Sequence, residues 1–204
     1  DATINLYSAV LVAGKASFAE VVVVMHGETS DSYCLVHRGT KVRKMHTSRR
    51  DAFRTINDIP LAKVENGEII ILNRNFKPRR KDRSLVLENK FDDKVALVKI
   101  YPGISPEIID FLVDRGYHGI VIEGTGLGHA PERLYEPIKR AIEEGIPVVM
   151  TSQCIWGRIN MNVYSTGRDL LALGVIPGED MLPETALVKL MWVLGKTRDI
   201  SEVR

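Results

Sequence analysis

A dense group of cations between residues 38 and 53 has the residue types best suited to chemistry. The segment reads RGTKVRKMHTSRRDAF and contains Lys41, Arg43, Lys44, Arg49 and Arg50. An isolated lysine has a pKa of about 10.4, so it acts as a base near neutral pH only where burial or neighbouring cations lower that pKa. The pattern predicts a lysine that accepts a proton, but an ordinary surface lysine on a basic strand would give the same pattern.

A second candidate is the glycine-rich run EGTGLGH, from Glu123 to His129. It follows a predicted parallel strand, and α/β sheets place ligand-binding loops at that point. Its three alternate glycines permit positive φ and close approach of the backbone. The run is not a P-loop, because no Gly-Lys-Ser/Thr follows, and it does not have the dinucleotide spacing. Thr125 and His129 are the polar groups that a substrate would contact, unless the glycines serve only to turn the chain.

The remaining histidines are expected to be structural, and no metal or cofactor site is predicted in this chain. They share no metal-ligand spacing. The two tryptophans, with Tyr33 and Tyr164, are interpreted as packing residues. The residues concerned are His26, His37, His46, His118, Trp156 and Trp192.

The first part of the chain must supply the elements that position the cations. Apolar residues at helical spacing predict a first helix packed against a sheet, and the β-branched run after it predicts a strand covered on both faces. Asn66-Gly67 between two apolar runs predicts a hairpin, and Thr47 or Ser48 is a possible helix cap. The predicted elements are a helix over 2–12, strands over 21–25 and 33–37, a helix over 49–56, and hairpin arms over 61–64 and 68–72.

A polar, basic segment, 74–93, is predicted to link domain 1–73 to domain 94–204. A solvated connection is the simpler interpretation. The alternative is a strip that contacts nucleic-acid phosphates without reading sequence, and the presence of only two aromatic residues disfavours a stacking platform. The cations of the strip are Arg74, Lys77, Arg79, Arg80, Lys81 and Arg83.

Strand and helix patterns alternate from residue 94 onward, which is typical of a small parallel α/β domain. We therefore predict the α/β class, with a partial N-terminal α/β domain followed by a small flavodoxin-like parallel α/β domain. The predicted strands cover 95–100, 119–122 and 147–151, and the predicted helices cover 108–115, 131–144, 165–173 and 183–194.

Composition sets broader limits on the class of protein. The chain has 204 residues, of which 45% are hydrophobic, so it can bury a substantial core. No apolar run approaches the roughly 18–20 residues that span a bilayer, and the start has no signal-peptide pattern. A net charge of +2 does not by itself indicate nucleic-acid binding. Two distant cysteines, Cys34 and Cys154, favour a reducing, cytoplasmic setting.

A family resemblance covers the whole chain. It rests on the runs NLY, VVVVMHG, VRKMHTSRRDAF, INDIPLAKVENGEI and GRINMNVYSTGRDLLALGVIPGEDMLPETALVKLMWVLG. Together they resemble the asparaginase/glutaminase family, in which a lysine follows a Val-x pair, and Lys44 in Val42-Arg43-Lys44 matches it. The resemblance implies that Lys44 accepts or relays a proton while a threonine hydroxyl attacks a side-chain amide. It also implies a homodimer in which the glycine-rich loop reaches the neighbouring subunit's active site.

The C-terminal run, Gly157 to Gly195, is most similar to the tRNA-dependent amidotransferases of that family. The resemblance implies a glutaminase subunit that passes ammonia to a second amidotransferase subunit. That partner uses ATP, with Mg²⁺, to convert Glu-tRNA(Gln) to Gln-tRNA(Gln). A free-standing L-asparaginase has the same chemistry and is the first alternative, and a dimerisation module without activity is the second.

The chain departs from the family pattern at the nucleophile. Neither a GGT nor a TDT sequence, which would carry the two catalytic threonines and the aspartate, occurs in the 204 residues. We therefore expect this chain to be the C-terminal part of a longer protein and to lack activity on its own.

Overall fold

The computed structural model describes residues 1–82 and 84–203. Contacts divide the chain into two compact units, Asp1–Val86 and Leu87–Arg204, and each has its own hydrophobic core. No helix in the two described ranges is long and apolar enough to cross a membrane. The predicted linker, 74–93, spans the division between the units, and its exact limits stay a prediction.

The first unit combines one helix with antiparallel strands. Its four-stranded sheet has the order β1-β2-β5-β6, and β3 pairs with β4 in a separate two-stranded ribbon. The elements are α1 (Ala2–Lys15), β1 (Val22–His26), β2 (Tyr33–Arg38), β3 (Val42–Lys44), β4 (Phe53–Thr55), β5 (Ala62–Glu65) and β6 (Glu68–Ile71).

The predicted burial of α1 and β1 is correct for one face only. Val12 of α1 packs against the sheet with Val24 and Val36, whereas Leu6 and Val10 are 68% and 64% exposed. β1 lies at one end of the sheet, and its residues alternate between buried and partly exposed. The prediction of a strand covered on both faces was wrong, because β-branched residues suit any pleated surface that is at least half buried.

The predicted helix over 49–56 is wrong, because this segment turns back and forms β4. Phe53 and Thr55 pair with Lys44 and Val42 of β3. Thr55 is buried, and its hydroxyl forms a hydrogen bond with His37 of β2. Aromatic and β-branched residues at alternate positions favour a strand. The helix prediction gave more weight to the possible cap than to this alternation.

The predicted hairpin at Asn66-Gly67 is confirmed. The two residues have φ values of 51° and 78°, which a two-residue turn of the primed type requires. Val64 faces Ile69 directly across the resulting β5–β6 pair.

The basic segment 74–93 is attached at both ends rather than solvated throughout. At its start, the amide of Ala19 donates to Lys77 O at 2.7 Å, and the amide of Arg79 donates to Ser17 O at 2.8 Å. At its end, the Asp92 amide donates to Met191 O at 2.9 Å. Only the middle fits the predicted solvated connection, with Leu85, Val86 and Leu87 strongly exposed. Arg83 of the predicted phosphate strip lies outside the described residues.

The Arg79 side chain closes the end of α1. Its guanidinium donates to Gly14 O at 2.8 Å, Ala13 O at 3.0 Å and Ala16 O at 3.4 Å. The last carbonyls of a helix have no partner within the helix and attract cations. Arg79 is therefore committed to α1, which weakens its assignment to a phosphate-binding strip.

The second unit is a parallel sheet covered on both faces, as predicted. Its strand order is β10-β9-β8-β7, with every pair parallel. The elements are β7 (Val95–Lys99), α2 (Glu107–Asp114), β8 (Gly119–Gly124), a 3-10 helix (Glu132–Leu134), α3 (Tyr135–Glu143), β9 (Val148–Ser152), α4 (Ser165–Leu173), β10 (Ile176–Pro177), α5 (Pro183–Leu194) and α6 (Ile200–Val203).

Alternate residues of the central strand β8 face two different cores. Ile120 and Ile122 pack with α2, α3 and α4, whereas Val121 packs with Ala186, Leu190 and Leu194 of α5. All of β8 is buried, which explains its uninterrupted apolar sequence. This two-sided burial fixes where the carboxyl ends of the strands emerge.

His37 of β2 is buried with an incomplete set of hydrogen bonds. Its Nδ1 lies 2.8 Å from Thr55 Oγ1, while its Nε2 has no partner among the residues that the structure describes. Burial, reinforced by the positive charge of Arg54, lowers the pKa of His37 from 6.5 to about 4. His37 is therefore a neutral core residue at physiological pH.

Replacement of Arg79 by alanine is expected to lower the free energy of unfolding by about 1 kcal/mol, since the last carbonyls of α1 lose a cationic donor. Arg80→Ala is the matched control, because the Arg80 guanidinium donates to the exposed carboxylate of Asp82 and its loss should change stability by less than about 0.5 kcal/mol. Urea unfolding of the two variants measures the difference. Equal effects would contradict the capping role.

The protein is expected to lose stability as pH falls from about 6.5 to about 4. In that window the unfolded chain binds a proton at His37 that the folded chain does not bind, so the stability present above pH 6.5 declines by about 3 kcal/mol. His37→Gln should show a correspondingly smaller change when urea unfolding is measured at pH 7, 5.5 and 4.5. The same pH dependence in both proteins would rule out this origin.

Candidate functional site

Lys44 lies at the end of β3, at the mouth of a two-stranded ribbon. It pairs directly with Phe53, and the preceding residue Arg43 pairs with Arg54. Because successive side chains of a strand point to opposite faces, Arg43 and Lys44 leave the ribbon in opposite directions. Lys44 is exposed. The Lys44 side chain therefore contacts solvent, and Arg43 is not on its face.

The loop that follows Lys44 is held by short-range hydrogen bonds. The Met45 amide donates to Ala52 O at 2.6 Å and extends the β3–β4 ladder by one bond. Within the loop, the amides of Ser48 and Arg49 both donate to His46 Nδ1, each at 3.1 Å. His46, expected to be structural, thus sits two residues from Lys44 and closes its loop.

Two cations of the basic segment are paired with carboxylates. Arg49 donates to both oxygens of buried Asp51, at 2.9 and 2.6 Å, and these hydrogen bonds, with the charges of Arg49 and Arg54, lower the pKa of Asp51. Arg50 reaches Asp31 at 3.2 Å. Carboxylates therefore partly neutralise the dense group of cations that the sequence contains around this loop.

A buried histidine connects this loop to the core of the first unit. His26 is fully buried, with Nδ1 2.8 Å from Asn5 Oδ1 and Nε2 2.7 Å from Asp31 Oδ1. The hydrogen bond from His26, assisted by the charge of Arg50, lowers the pKa of Asp31. The chain of contacts from Asn5 through His26 and Asp31 to Arg50 ties the loop after Lys44 to α1 and β1.

The glycine-rich loop after β8 is closed on itself. The Thr125 amide donates to His129 O at 2.9 Å, and the His129 amide donates back to Thr125 O at 3.0 Å. The His129 side chain lies with Nδ1 2.9 Å from Thr166 Oγ1, at the start of α4. Its Nε2 is buried without a partner in the described part of the chain. The structure therefore brings the two residues predicted from this loop together.

Thr125 and His129 share a pocket of about 430 Å³ at the carboxyl ends of the parallel strands. Its other polar side chains are Tyr101, Arg133 and Gln153. Gln153 is fixed by donating to Glu123 O at 3.0 Å. The volume falls in the range of small-molecule sites, and the mix of hydroxyl, imidazole, amide and guanidinium suits a small polar ligand such as an amino acid.

Three of these pocket residues were missed at the level of sequence. Gln153 follows β9 as Thr125 follows β8, so the rule that ligands meet the carboxyl ends of strands was sufficient to find it. Tyr101 follows the carboxyl end of β7 and carries the same signal. Arg133 carries no comparable signal, because it enters from the 3-10 helix. Pocket membership across separate segments depends on the fold.

The other predicted structural histidine, His118, is bonded to buried Asp92, with Nδ1 2.9 Å from Oδ2. Within residues 1–82 and 84–203, no three His, Cys, Asp or Glu side chains are grouped so that they could hold a metal ion.

Family comparisons fit both units. A family model described as "Glutaminase/Asparaginase C-terminal domain" matches residues 94–204, more than half of the chain. A second, described as "Asparaginase, N-terminal", matches residues 1–77. The chain belongs to the glutaminase/asparaginase family, which confirms the resemblance drawn from its sequence motifs.

Two curated proteins are similar to this chain over its whole length. The chain is 65% identical over 205 residues to the D subunit of glutamyl-tRNA(Gln) amidotransferase from Pyrococcus abyssi, covering 100% of this chain and 46% of that protein. The corresponding protein of Pyrococcus horikoshii is 64% identical with the same coverage. The chain thus spans about half the length of the curated relatives it matches.

Solved structures of the family have the same fold. The thermostable L-asparaginase from Thermococcus kodakarensis superposes with a TM-score of 0.87 at 36% identity, covering 100% of this chain and 59% of that one. L-asparaginase I from Vibrio cholerae gives 0.82 at 31% identity with the same coverage. The predicted asparaginase-like α/β class is confirmed.

Gly128 is expected to be essential to the shape of the glycine-rich loop. Its φ is 101°, and a Cβ there would lie 3.1–3.3 Å from Met161, Met150 and Ile159, so Gly128→Ala should lower the free energy of unfolding by roughly 2–3 kcal/mol. Gly126→Ala is the matched control, since Gly126 also has positive φ but open space around it, and it should cost roughly 1 kcal/mol. Urea unfolding distinguishes the two, and an equal loss would refute the packing argument.

Proposed function

We propose that this chain is the Lys44-bearing part of a glutaminase subunit in a tRNA-dependent amidotransferase. The observation that carries the proposal is the 65% identity, over the full chain, to the D subunit of a glutamyl-tRNA(Gln) amidotransferase. The match of Lys44 to the family's Val-x-Lys pattern supports a catalytic role within it.

In the proposed reaction, a threonine hydroxyl attacks the side-chain amide of glutamine. The threonine gives up its proton, ammonia leaves, and water then hydrolyses the acyl-enzyme to release glutamate. Lys44 accepts or relays the proton that leaves the threonine. The proposal locates the threonine in the part of the relatives' length that this chain does not span, since no GGT or TDT sequence occurs here. On that basis the 204-residue chain alone is inactive.

We further propose that Lys44 becomes less solvated in the assembled site. Burial disfavours the charged form of a lysine, so the proposed base needs a cover over the exposed Lys44. The ordered ribbon supplies a fixed position for the amine, and the remainder of the site supplies the burial.

Thr125 and His129 are proposed to contact glutamine from the second unit of a neighbouring subunit, which makes a homodimer the catalytic unit. The pocket of about 430 Å³ that they line supports binding of a small polar substrate. Their hydroxyl and imidazole groups match the amino and carboxylate ends of an amino acid.

The ammonia is proposed to pass to a second amidotransferase subunit, which uses ATP with Mg²⁺ to amidate Glu-tRNA(Gln). This chain requires no cofactor of its own in that scheme. Both Pyrococcus relatives are named as one subunit of an amidotransferase, which supports a multisubunit assembly.

A free-standing L-asparaginase is the second candidate, because the two solved structures compared above are L-asparaginases. The two functions share their chemistry and differ in preferred amide and in dependence on a partner. A dimerisation module without activity is the remaining alternative.

A chimera tests the proposal directly. This chain replaces the matching 205 residues of the Pyrococcus abyssi protein, and ammonia release is measured with L-glutamine and with L-asparagine. We expect release from glutamine, with Lys44→Ala lowering kcat about 10²- to 10⁴-fold through loss of proton transfer. Lys44→Arg should be similarly impaired, because a guanidinium does not give up its proton. Lys139→Ala, which changes an exposed lysine of α3 outside both candidate sites, is the control and should retain full activity.

Each other result favours a different conclusion. Full activity of Lys44→Ala would remove Lys44 from the mechanism. A preference for asparagine would support the asparaginase, and a folded but inactive chimera would support the module. Ammonia release by the 204-residue chain alone would contradict the proposed need for a threonine elsewhere.

A further inference from the structure

The loop after Lys44 is built around a single acceptor atom. His46 Nδ1 lies 3.1 Å from both the Ser48 and the Arg49 amide nitrogen. An imidazole nitrogen accepts hydrogen bonds only when it carries a lone pair, and both nitrogens of a protonated imidazole are donors. The observed turn therefore requires a neutral His46 with its proton on Nε2.

We propose that His46 is a positioning residue, whose neutral imidazole holds the turn over residues 46–49 and thereby fixes Lys44 at the mouth of the ribbon. This inference rests on the proposed function of Lys44. His46 touches no reacting atom, and it acts through the backbone of its own loop.

The turn reaches Lys44 by a short path. His46 follows Met45, whose amide donates to Ala52 O at 2.6 Å in the last bond of the ribbon ladder. On the side of that bond away from the loop, Lys44 and Phe53 form the outermost residue pair of β3 and β4. When the 46–49 turn opens, the loop no longer restrains this end of the ribbon. Lys44 then loses its fixed direction before the inner pairs separate.

Protonation of His46 opens the turn in this scheme. Both nitrogens of a protonated imidazole carry a proton, so the cation of His46 would face the amide protons of Ser48 and Arg49 instead of accepting hydrogen bonds from them. The carboxylates of Asp31 and Asp51 are engaged by Arg50 and Arg49, respectively. The charged and titratable groups on the ribbon, its loop and the segment contacted by Arg50 are Lys41, Arg43, Lys44, Arg49, Arg50, Asp51, Arg54, Glu28 and Asp31.

Two substitutions separate the acceptor from the titration. His46→Asn keeps a side-chain oxygen that accepts from the amide two residues ahead, as Asx turns do, but it does not titrate. His46→Ala removes the acceptor at every pH. The two substitutions affect an exposed loop position, so the fold should persist in both variants.

The first test is NMR spectroscopy of the 204-residue chain between pH 5 and 8, with the Ser48, Arg49 and Met45 amides assigned. We expect the chemical shifts of the Ser48 and Arg49 amide protons to move upfield as pH falls. The midpoint of this change should equal the midpoint measured for the His46 ring protons, and the Met45 amide shift should change with the same midpoint. His46→Asn should hold the high-pH shifts throughout, and His46→Ala should show the low-pH shifts throughout. Ser48 and Arg49 amides that ignore both pH and His46→Ala, or a Met45 amide that does not follow them, would overturn the proposal.

The second test is the pH profile of glutamine hydrolysis by the chimera described above. His46→Ala should lower kcat about 10- to 100-fold, in keeping with a small misplacement of a catalytic group. His46→Asn should restore kcat with a smaller acid-side decline than the parent, since the proton requirement of the Lys44 base is common to both. An acid-side decline that is identical in the parent and in His46→Asn would overturn the proposal. Because the NMR test needs no activity, failure of the Lys44 assignment and failure of the His46 assignment are distinguishable.

Discussion

Backbone pairing at the ends of strands is the interaction on which both candidate sites depend. Lys44 is the last paired residue of β3, and Thr125 follows directly after β8 and bonds back to His129. A side chain at such a position inherits its direction from the ladder rather than from its own packing.

Much of the second unit could be predicted from the sequence, because strands that are buried on both faces have uninterrupted runs of apolar residues. β8 is wholly buried, and its neighbours alternate with amphipathic helices, so the parallel sheet and most helix positions could be read from the chain. The fold of the first unit was harder to predict from the sequence. Its four-stranded sheet has a partly exposed β1, and the short strand β4 has only three residues, too few for a clear period to outweigh a possible cap.

The candidate sites were predictable as positions but not as environments. The types and spacing of residues led to Lys44, Thr125 and His129, and the family pattern gave Lys44 its proposed role. The sequence could count the cations near Lys44, but it could not show that Arg49 binds Asp51 or that Arg43 points away. Nor could it show His46 as an acceptor, because the two donors that follow it become visible only with the turn in place.

The hold of Arg79 on the end of α1 has a consequence for how the first unit forms. The contacts join residues 63 to 66 positions apart, so they are among the least local in that unit. Loop-closure entropy makes such contacts late in folding. During synthesis α1 emerges long before Arg79, and its C-terminal turn stays open until the whole sheet and the segment after β6 have been made. The C-terminal turn of α1 thus gains its side-chain hydrogen bonds only after the segment that contains Arg79 has been synthesised.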